Sequence, residues 1–395
     1  MSAASRVDAL FAAGLRLARS ARSGRVLLAR VNQALDPTWI PRPWGDELVA
    51  ALEEAHASSQ EQLPMSVVER VLREAWGVKA TEELEELEAE PVAVTPSAQV
   101  HRGVLDGTAV AVKVLRPGLA TSVRQDLVLL EGLLAPLHAA FPAVDAGALL
   151  QEVRERALDE LDLEVEAAAQ RQFHRRLRGH DFLVVPQPVT RLATDSVLVS
   201  EWVDGVSLWD APDPDRSAAQ LVVFVLGAGL SGYAYADPKP EDMLVRSDGR
   251  LAVLDFGPTR VVSPDRFRIA AKALAAFAAE DPASLGEALE ELGWLERERG
   301  TMVLELGREI LGELAEAGPA RLDGDAVLAV RDRLLSRLAD VLELMLAGKV
   351  LPEDLWPLRG AGQVFATVAR VGATGAWREL ALGAMRDGWD AKVGE

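Results

Sequence analysis

Apolar residues recur at helical spacing through the first ninety positions, then change to short alternating runs. Val7, Leu10, Phe11 and Leu15 follow a helical period, as do the apolar positions of 46–57 and 66–76. Pro37, Pro41 and Pro43 divide this region into separate helices. The acidic stretch 81–90 (TEELEELEAE) reads as a solvated helix or a linker. From residue 91 the pattern is β-like. Runs at 98–104 and 109–115 flank Asp106-Gly107, a dipeptide that favours a tight hairpin turn. A long helical stretch, roughly 121–178, follows with an interruption near Pro142, and 183–186 and 196–203 read as strands. After Gly205 the chain is mostly helical apart from a hairpin at 243–255. The pattern predicts a helical tail over 345–395, broken at Pro352 and Pro357, and shows no repeat or low-complexity tract.

Composition narrows the possibilities. A chain of 395 residues can bury a large core and should form more than one structural unit. A net charge of −19 argues against a nucleic-acid partner, which needs a basic stripe. That charge is uneven. Arg6, Arg16, Arg19, Arg22, Arg25 and Arg30 face only Asp8 within 1–35, making that segment net +5 and the remainder −24. With no Cys there are no disulfides, thiolate metal sites or Cys nucleophiles, which fits a reducing cytoplasm. The N-terminus lacks the compact apolar stretch of a signal peptide. The uncharged run 218–236 contains three Gly and leads straight into Asp237, so it reads as a buried helix rather than a membrane span. The chain is expected to be soluble.

The densest chemistry lies in residues 235–257, YADPKPEDMLVRSDGRLAVLDFG. Asp237 and Asp242 stand five residues apart, and Asp255 opens a D-F-G triplet eighteen residues after Asp237. This is the spacing of a kinase catalytic core, in which one Asp orients or deprotonates the acceptor and two further groups hold Mg²⁺. The apolar runs 243–245 and 251–254, joined by Ser247-Asp248-Gly249, predict a hairpin that sets the carboxylates at one end of a cleft. Lys113, in VAVKV, matches the strand Lys that neutralises the α/β-phosphates, and a helix Glu should position it. Residues 121–150 offer only Asp126 and Glu131; Glu166 comes 53 residues on.

Several segments together resemble the UbiB-type atypical kinases, also called aarF-domain or ADCK kinases. Glu160-Leu161-Asp162 followed by Glu166-Ala167-Ala168 resembles their E-L-D-x-x-x-E-A-A signature. SAQVHRG, AVKVLRPG, VLVSEWVDG and YADPKPEDMLV resemble, in order, their Q-V-H-R, A-V-K-V-x-R-P-G, V-L-V-M-E-W-x-D-G and H-A-D-P-H-P-G-N-x-L-V stretches. The match spans about residues 20–345. The resemblance implies an α+β, protein-kinase-like bilobal fold with a helical N-terminal extension (1–90), a smaller lobe with a helical insertion (91–205), a larger lobe (206–344) and a helical C-terminal tail (345–395). It further implies ATP and Mg²⁺ as ligands, and activity linked to isoprenoid or quinone lipids. The expected assignment puts Lys113 on the phosphates, Glu166 on Lys113, and Asp242 and Asp255 on Mg²⁺. Asp237 would be the base or orienting group, Lys239 would meet the γ-phosphate, and the backbone near Glu201 and Val203 would meet adenine.

The departures from the family bear on activity. Its alanine-rich nucleotide loop becomes Ala93-Val94-Thr95-Pro96-Ser97, in which Pro96 removes an N–H that a phosphate would use. Its K-x-G-Q segment becomes Arg22-Ser23-Gly24-Arg25. In the catalytic loop Tyr235 replaces a His, Lys239 another His, and Glu241-Asp242 the usual Gly-Asn. The loop therefore reads D-P-K-P-E-D, close to the D-L-K-P-E-N of Ser/Thr protein kinases. No A-P-E triplet or long activation segment follows Gly257, which disfavours a protein acceptor. The basic segment 1–35 would lie on anionic lipid as a peripheral contact, or its Arg residues line the cleft or are solvated. Two classes remain: an ATP-dependent enzyme (ATPase, or small-molecule or lipid kinase) and a nucleotide-binding pseudokinase scaffold.

Overall fold

The computed structural model describes residues 61–393 apart from 141–144 and 160, with Ala12 alone from the first 60. The predicted helices at 7–15 and 46–57, and the Arg22–Arg25 motif, lie outside the described residues. The chain is a mixed α+β protein of the bilobal kinase kind. The smaller lobe is built on strands β1 (Glu86–Leu87), β2 (Ala93–Val94), β3 (Ala98–Leu105) and β4 (Thr108–Leu115), with β6 (Val197–Glu201) arriving after β5 (Leu183–Val184). All pairings in this sheet are antiparallel, in the order β1-β3-β4-β6, with β2 also on β3. Helix α1 (Met65–Trp76) covers one face.

Period-two alternation along β4 decides where the chemistry points. Val110, Val112 and Val114 face α1 and pack with Val68, Val71 and Leu72. Lys113 therefore projects from the opposite face, where the chain later places helices α2 (Ala146–Asp159) and α3 (Leu163–Leu177). The β3–β4 turn takes the predicted form, with Asp106 and Gly107 at φ 49° and 72°. Such a turn needs two left-handed residues, which Asp tolerates and Gly adopts freely. The acidic 81–90 stretch keeps its reading only in part: Ala80–Glu83 is a helical turn, but a strand follows it. Glu86–Leu87 pairs with Gly103 and Val104, so the smaller lobe draws an edge strand from ahead of residue 91.

The larger lobe closes around Phe173, Phe224, Tyr235, Met243, Leu251 and Phe256. Helix α4 (Pro214–Gly227), capped by Asp213, runs through this core and leads into β8 (Tyr233–Tyr235). The apolar run 218–236 is thus an interior helix and strand, and no helix among the described residues is long and apolar enough to cross a membrane. The short β7 (Val206–Ser207) precedes it and pairs with β9 (Met243–Val245). Strands β9 and β10 (Leu251–Val253) form the expected hairpin, and β11 (Thr259–Val261) pairs back onto β8. Helix α5 (Pro264–Ala278) begins as predicted, with Ser263 Oγ accepting from the Arg266 amide and Pro264 in the first turn.

The region 345–395 is more than a tail. Helix α6 (Leu355–Val371) contributes Val364 and Val368 to the larger core, and Trp389 packs 5.4 Å from the Phe173 ring. Pro357 does not break this helix. It sits in the first turn, where its missing N–H has no helical partner to lose.

Candidate active site

Helix α3 carries the first catalytic candidate. Asp162 caps it by accepting from the Glu164 and Val165 amides, which fixes where the helix starts. Leu163, Glu166, Ala167, Gln170 and Phe173 then share its buried face. Glu166, 4% exposed, thereby points inward and holds Lys113 with both oxygens, at 2.8 and 2.9 Å from Nζ. Lys113 also lies 3.1 Å from Asp255 Oδ1. The weaker alternative, Glu131, pairs with Arg154 instead. The D-F-G segment is held by three further contacts. Gly257 donates its amide to Asp255 Oδ1 at 3.1 Å, Phe256 packs 5.2 Å from Phe173, and Tyr235 donates its hydroxyl to the Asp255 carbonyl at 2.6 Å.

Electrostatics follow from one ammonium between two carboxyls. Burial opposes the Lys113 charge, but Asp255 and Glu166 outweigh it and raise the pKa above its usual range. Burial, with help from Asp255, pushes Glu166 up to about 8 despite Lys113. Burial would raise Asp255 as well; Lys113, the contact with Glu166 and the Gly257 amide overcome it and hold this carboxyl well below the usual range. Burial and then the Asp255 charge push Asp242 up to about 7, with Lys239 and Lys113 opposing. Tyr235 is buried, and burial followed by the neighbouring carboxylates raises its pKa, so its hydroxyl stays a donor.

Asp237 is 9% exposed. Lys239 Nζ stands 2.7 Å from its Oδ2, and Arg359 of α6 stands 3.2 Å from its Oδ1. The Arg359 contact is an ion pair without hydrogen-bond alignment, because Oδ1 is buried and accepts no hydrogen bond among the described residues. Sequence reasoning missed Arg359. The signal was a helical stripe of small and apolar residues, Trp356, Gly360, Gln363, Val364, Thr367 and Val368, marking a face packed on something important.

The turn before β3 is closed on itself. The Thr95 amide donates to the Ala98 carbonyl, the Ala98 amide donates to Thr95 Oγ1, and Pro96 has no N–H. Ala93 is paired in β2 and Ser97 is buried. Below it, Gln99 and His101 form a structural latch. Gln99 bonds the Leu63 backbone and contacts His101 Nε2 at 2.9 Å, while His101 Nδ1 meets the Glu88 carbonyl at 2.8 Å. A carbonyl only accepts, so Nδ1 carries the proton. At the hinge, the Glu201 and Trp202 amides are engaged by the Gln187 and Ala109 carbonyls. No backbone–backbone hydrogen bond engages Val203 among the described residues.

Among the described residues no group of three or more His, Asp or Glu is arranged to cage a metal. Two carboxylates, Asp242 and Asp255, suit Mg²⁺ nonetheless, since that ion keeps several waters and takes its remaining ligands from substrate phosphates. Such a cation would offset the burial and the Asp255 charge that raise Asp242.

Comparison with known proteins agrees with this geometry. Residues 56–289 match the ABC1 atypical kinase-like domain. An AarF domain-containing protein kinase 1 of Xenopus laevis is 30% identical over 220 residues, covering 52% of this chain and 42% of the relative. A probable protein kinase UbiB of Marinobacter nauticus is 27% identical over 248 residues, covering 59% and 45%. The chain thus spans about half the length of the curated relatives it matches. Among solved structures, the Rv3197–erythromycin complex of Mycobacterium tuberculosis covers 91% of both chains at a TM-score of 0.61 and 22% identity, a likeness of fold. The family-wide match over 56–289 and the helix-borne glutamate on the strand lysine point the same way: this chain belongs to the ABC1 atypical kinase-like family.

Proposed function

We propose that the protein binds Mg-ATP between its lobes and transfers the γ-phosphoryl group to water or to a small-molecule or lipid hydroxyl. One observation carries this reading: Lys113, Glu166 and Asp255 form a closed ion cluster, with Asp237 and Lys239 paired beside it. Lys113 would neutralise the α/β-phosphates and Lys239 the transferring group, both by charge. Asp242 and Asp255 would hold Mg²⁺, whose chemistry is to draw charge from the β- and γ-phosphate oxygens. Asp237 Oδ1 is buried and accepts no hydrogen bond among the described residues, so an acceptor hydroxyl would approach at Oδ2, beside Lys239, and lose its proton there. The short passage from Gly257 to α5 offers little platform for a peptide, which favours a small acceptor. The link to isoprenoid or quinone lipids and a peripheral membrane position rest on family resemblance.

The self-closed turn at 93–98 favours a second reading, a nucleotide-binding scaffold with impaired turnover. A thermal-shift titration with Mg-ATP, on wild type and Asp255→Asn, tests both. A tight ligand stabilises by mass action, so wild type should shift upward and the variant should not. No wild-type shift would sink both readings. Phosphate release with and without lipid vesicles then separates enzyme from scaffold.

A further inference from the structure

Helix α6 meets the catalytic loop at three places. At Gly360 a Cβ would lie 2.4 Å from the Tyr235 carbonyl oxygen, so only glycine allows the approach. Arg359 donates Nε to the Ala236 carbonyl at 3.2 Å and sets a terminal nitrogen 3.2 Å from Asp237 Oδ1. Two turns along, Thr367 donates Oγ1 to the Pro238 carbonyl at 2.6 Å. H-R-D loops carry an arginine directly before the catalytic Asp. This loop has Ala236 there, and a guanidinium reaches it from 123 positions later.

The arginine is itself mounted. The Trp356 ring is approached by two guanidinium groups, 5.8 Å from Arg359 and 5.2 Å from Arg260. Arg260 donates to the carbonyls of Gly257, the last residue of the D-F-G triplet, and of Thr259 just beyond it. Trp356 Nε1 donates to Glu152 on α2 at 2.9 Å. One indole thus joins the Asp237 loop, the segment after Asp255 and the inserted helix.

We propose that Arg359 is the positioning residue of the catalytic loop. It fixes the Asp237 carboxylate through charge at the buried Oδ1 and through the Ala236 carbonyl, and leaves Oδ2, on the Lys239 side, as the oxygen that meets an acceptor hydroxyl. Gly360 and Thr367 hold the loop backbone against the same helix. The inference rests on the phosphotransfer reading and extends it. A guanidinium that blocked Asp237 would instead cover Oδ2, whereas Arg359 meets the buried Oδ1.

The test combines hydrogen exchange with turnover in the full chain. The Ala236 amide, bonded to the Pro258 carbonyl at 3.0 Å, reports on loop order. In Arg359→Ala its exchange should quicken at least tenfold while amides of α4 stay protected. The kcat for phosphate release from Mg-ATP should fall roughly a hundredfold, with KM for ATP changed less than about twofold, the signature of a displaced group. Arg359→Lys should recover part of the rate, because the charge returns without the bond to Ala236. Thr367→Val should loosen the loop to an intermediate degree. Unchanged exchange and turnover in Arg359→Ala, or faster turnover, would overturn the proposal. If that variant does not fold, wild-type behaviour of both Arg359→Lys and Thr367→Val overturns it. A wild-type chain without turnover whose loop still loosens in the variants defeats the phosphotransfer reading and leaves the mount in place.

Discussion

The ion cluster around Asp255 and the turn at 93–98 are both expected to meet phosphate, and they are built in opposite ways. The cluster concentrates charge: Lys113 touches two carboxylates, and Asp237 stands between two cations. The turn offers almost nothing, because Thr95 and Ala98 satisfy each other and Pro96 has no donor. On the proposed reading, the contrast teaches that phosphate would be met by side-chain charge and not by backbone amides. Charge acts over a few ångströms without strict alignment, whereas an amide cradle requires a particular backbone path.

The most severe way to break the contrast is to remove the cation at its centre. Lys113→Met leaves Glu166 and Asp255 facing each other in a buried site, and the loss should be about 3 kcal/mol by chemical denaturation at pH 8. Both carboxyls would then have folded-state pKa values above their unfolded ones. Their stabilising effect is present at acid pH and lost as pH rises through the folded values, so the defect should shrink towards pH 5. Asp255→Asn should next remove the nucleotide response, about 2.7 kcal/mol for wild type at a hundredfold excess over Kd. Denaturation with and without Mg-ATP measures it.

A gentler probe uses pH. Asp242 titrates near 7 and Glu166 near 8, both raised. Between about pH 4 and those values the folded chain holds more protons than the unfolded one, so ligand-free Tm should fall as pH rises from 6 to 8.5. On the proposed assignment Mg-ATP binding requires Asp242 ionised, so its affinity should run the other way, about tenfold weaker at pH 6 than at pH 8. Asp242→Asn should flatten that dependence, as read by calorimetry. The smallest expected effect comes from the other side of the comparison. Pro96→Gly restores one amide donor, and after the entropy of a freer turn it should tighten Mg-ATP by about fivefold. No tightening would mean that the turn's closure, rather than the missing donor, sets the limit.

What the sequence made legible was whatever depends on short spacing. The Asp237–Asp255 interval and the hairpin at 243–253 are local, and the fold follows them. The meeting of Lys113 with Glu166, 53 residues apart, was readable only through the resemblance of Glu160–Ala168 to a family signature; the structure supplies its physical basis, a capped helix and an alternating strand that each expose one face. The edge strand at Glu86–Leu87 stayed hidden because its pairing uses backbone groups, which acidic side chains do not announce. Arg359 was hidden for a different reason. The helix's buried stripe was periodic, but a single arginine beside it adds nothing to that period, and its partner lies 122 residues away in sequence. Pro357 misled because a proline breaks a helix only beyond its first turn.

The seating of α6 on the loop also has a consequence for biosynthesis. Chains emerge from the ribosome N-terminus first, and domains fold as units when their parts are available. Every acidic and basic side chain assigned to phosphate or metal is made before Arg359, Thr367 and Trp389. A nascent chain already carrying that full set would still lack the groups that seat Asp237, and the ring that packs on Phe173. Order of synthesis therefore keeps the catalytic loop unmounted until the larger lobe can close around it.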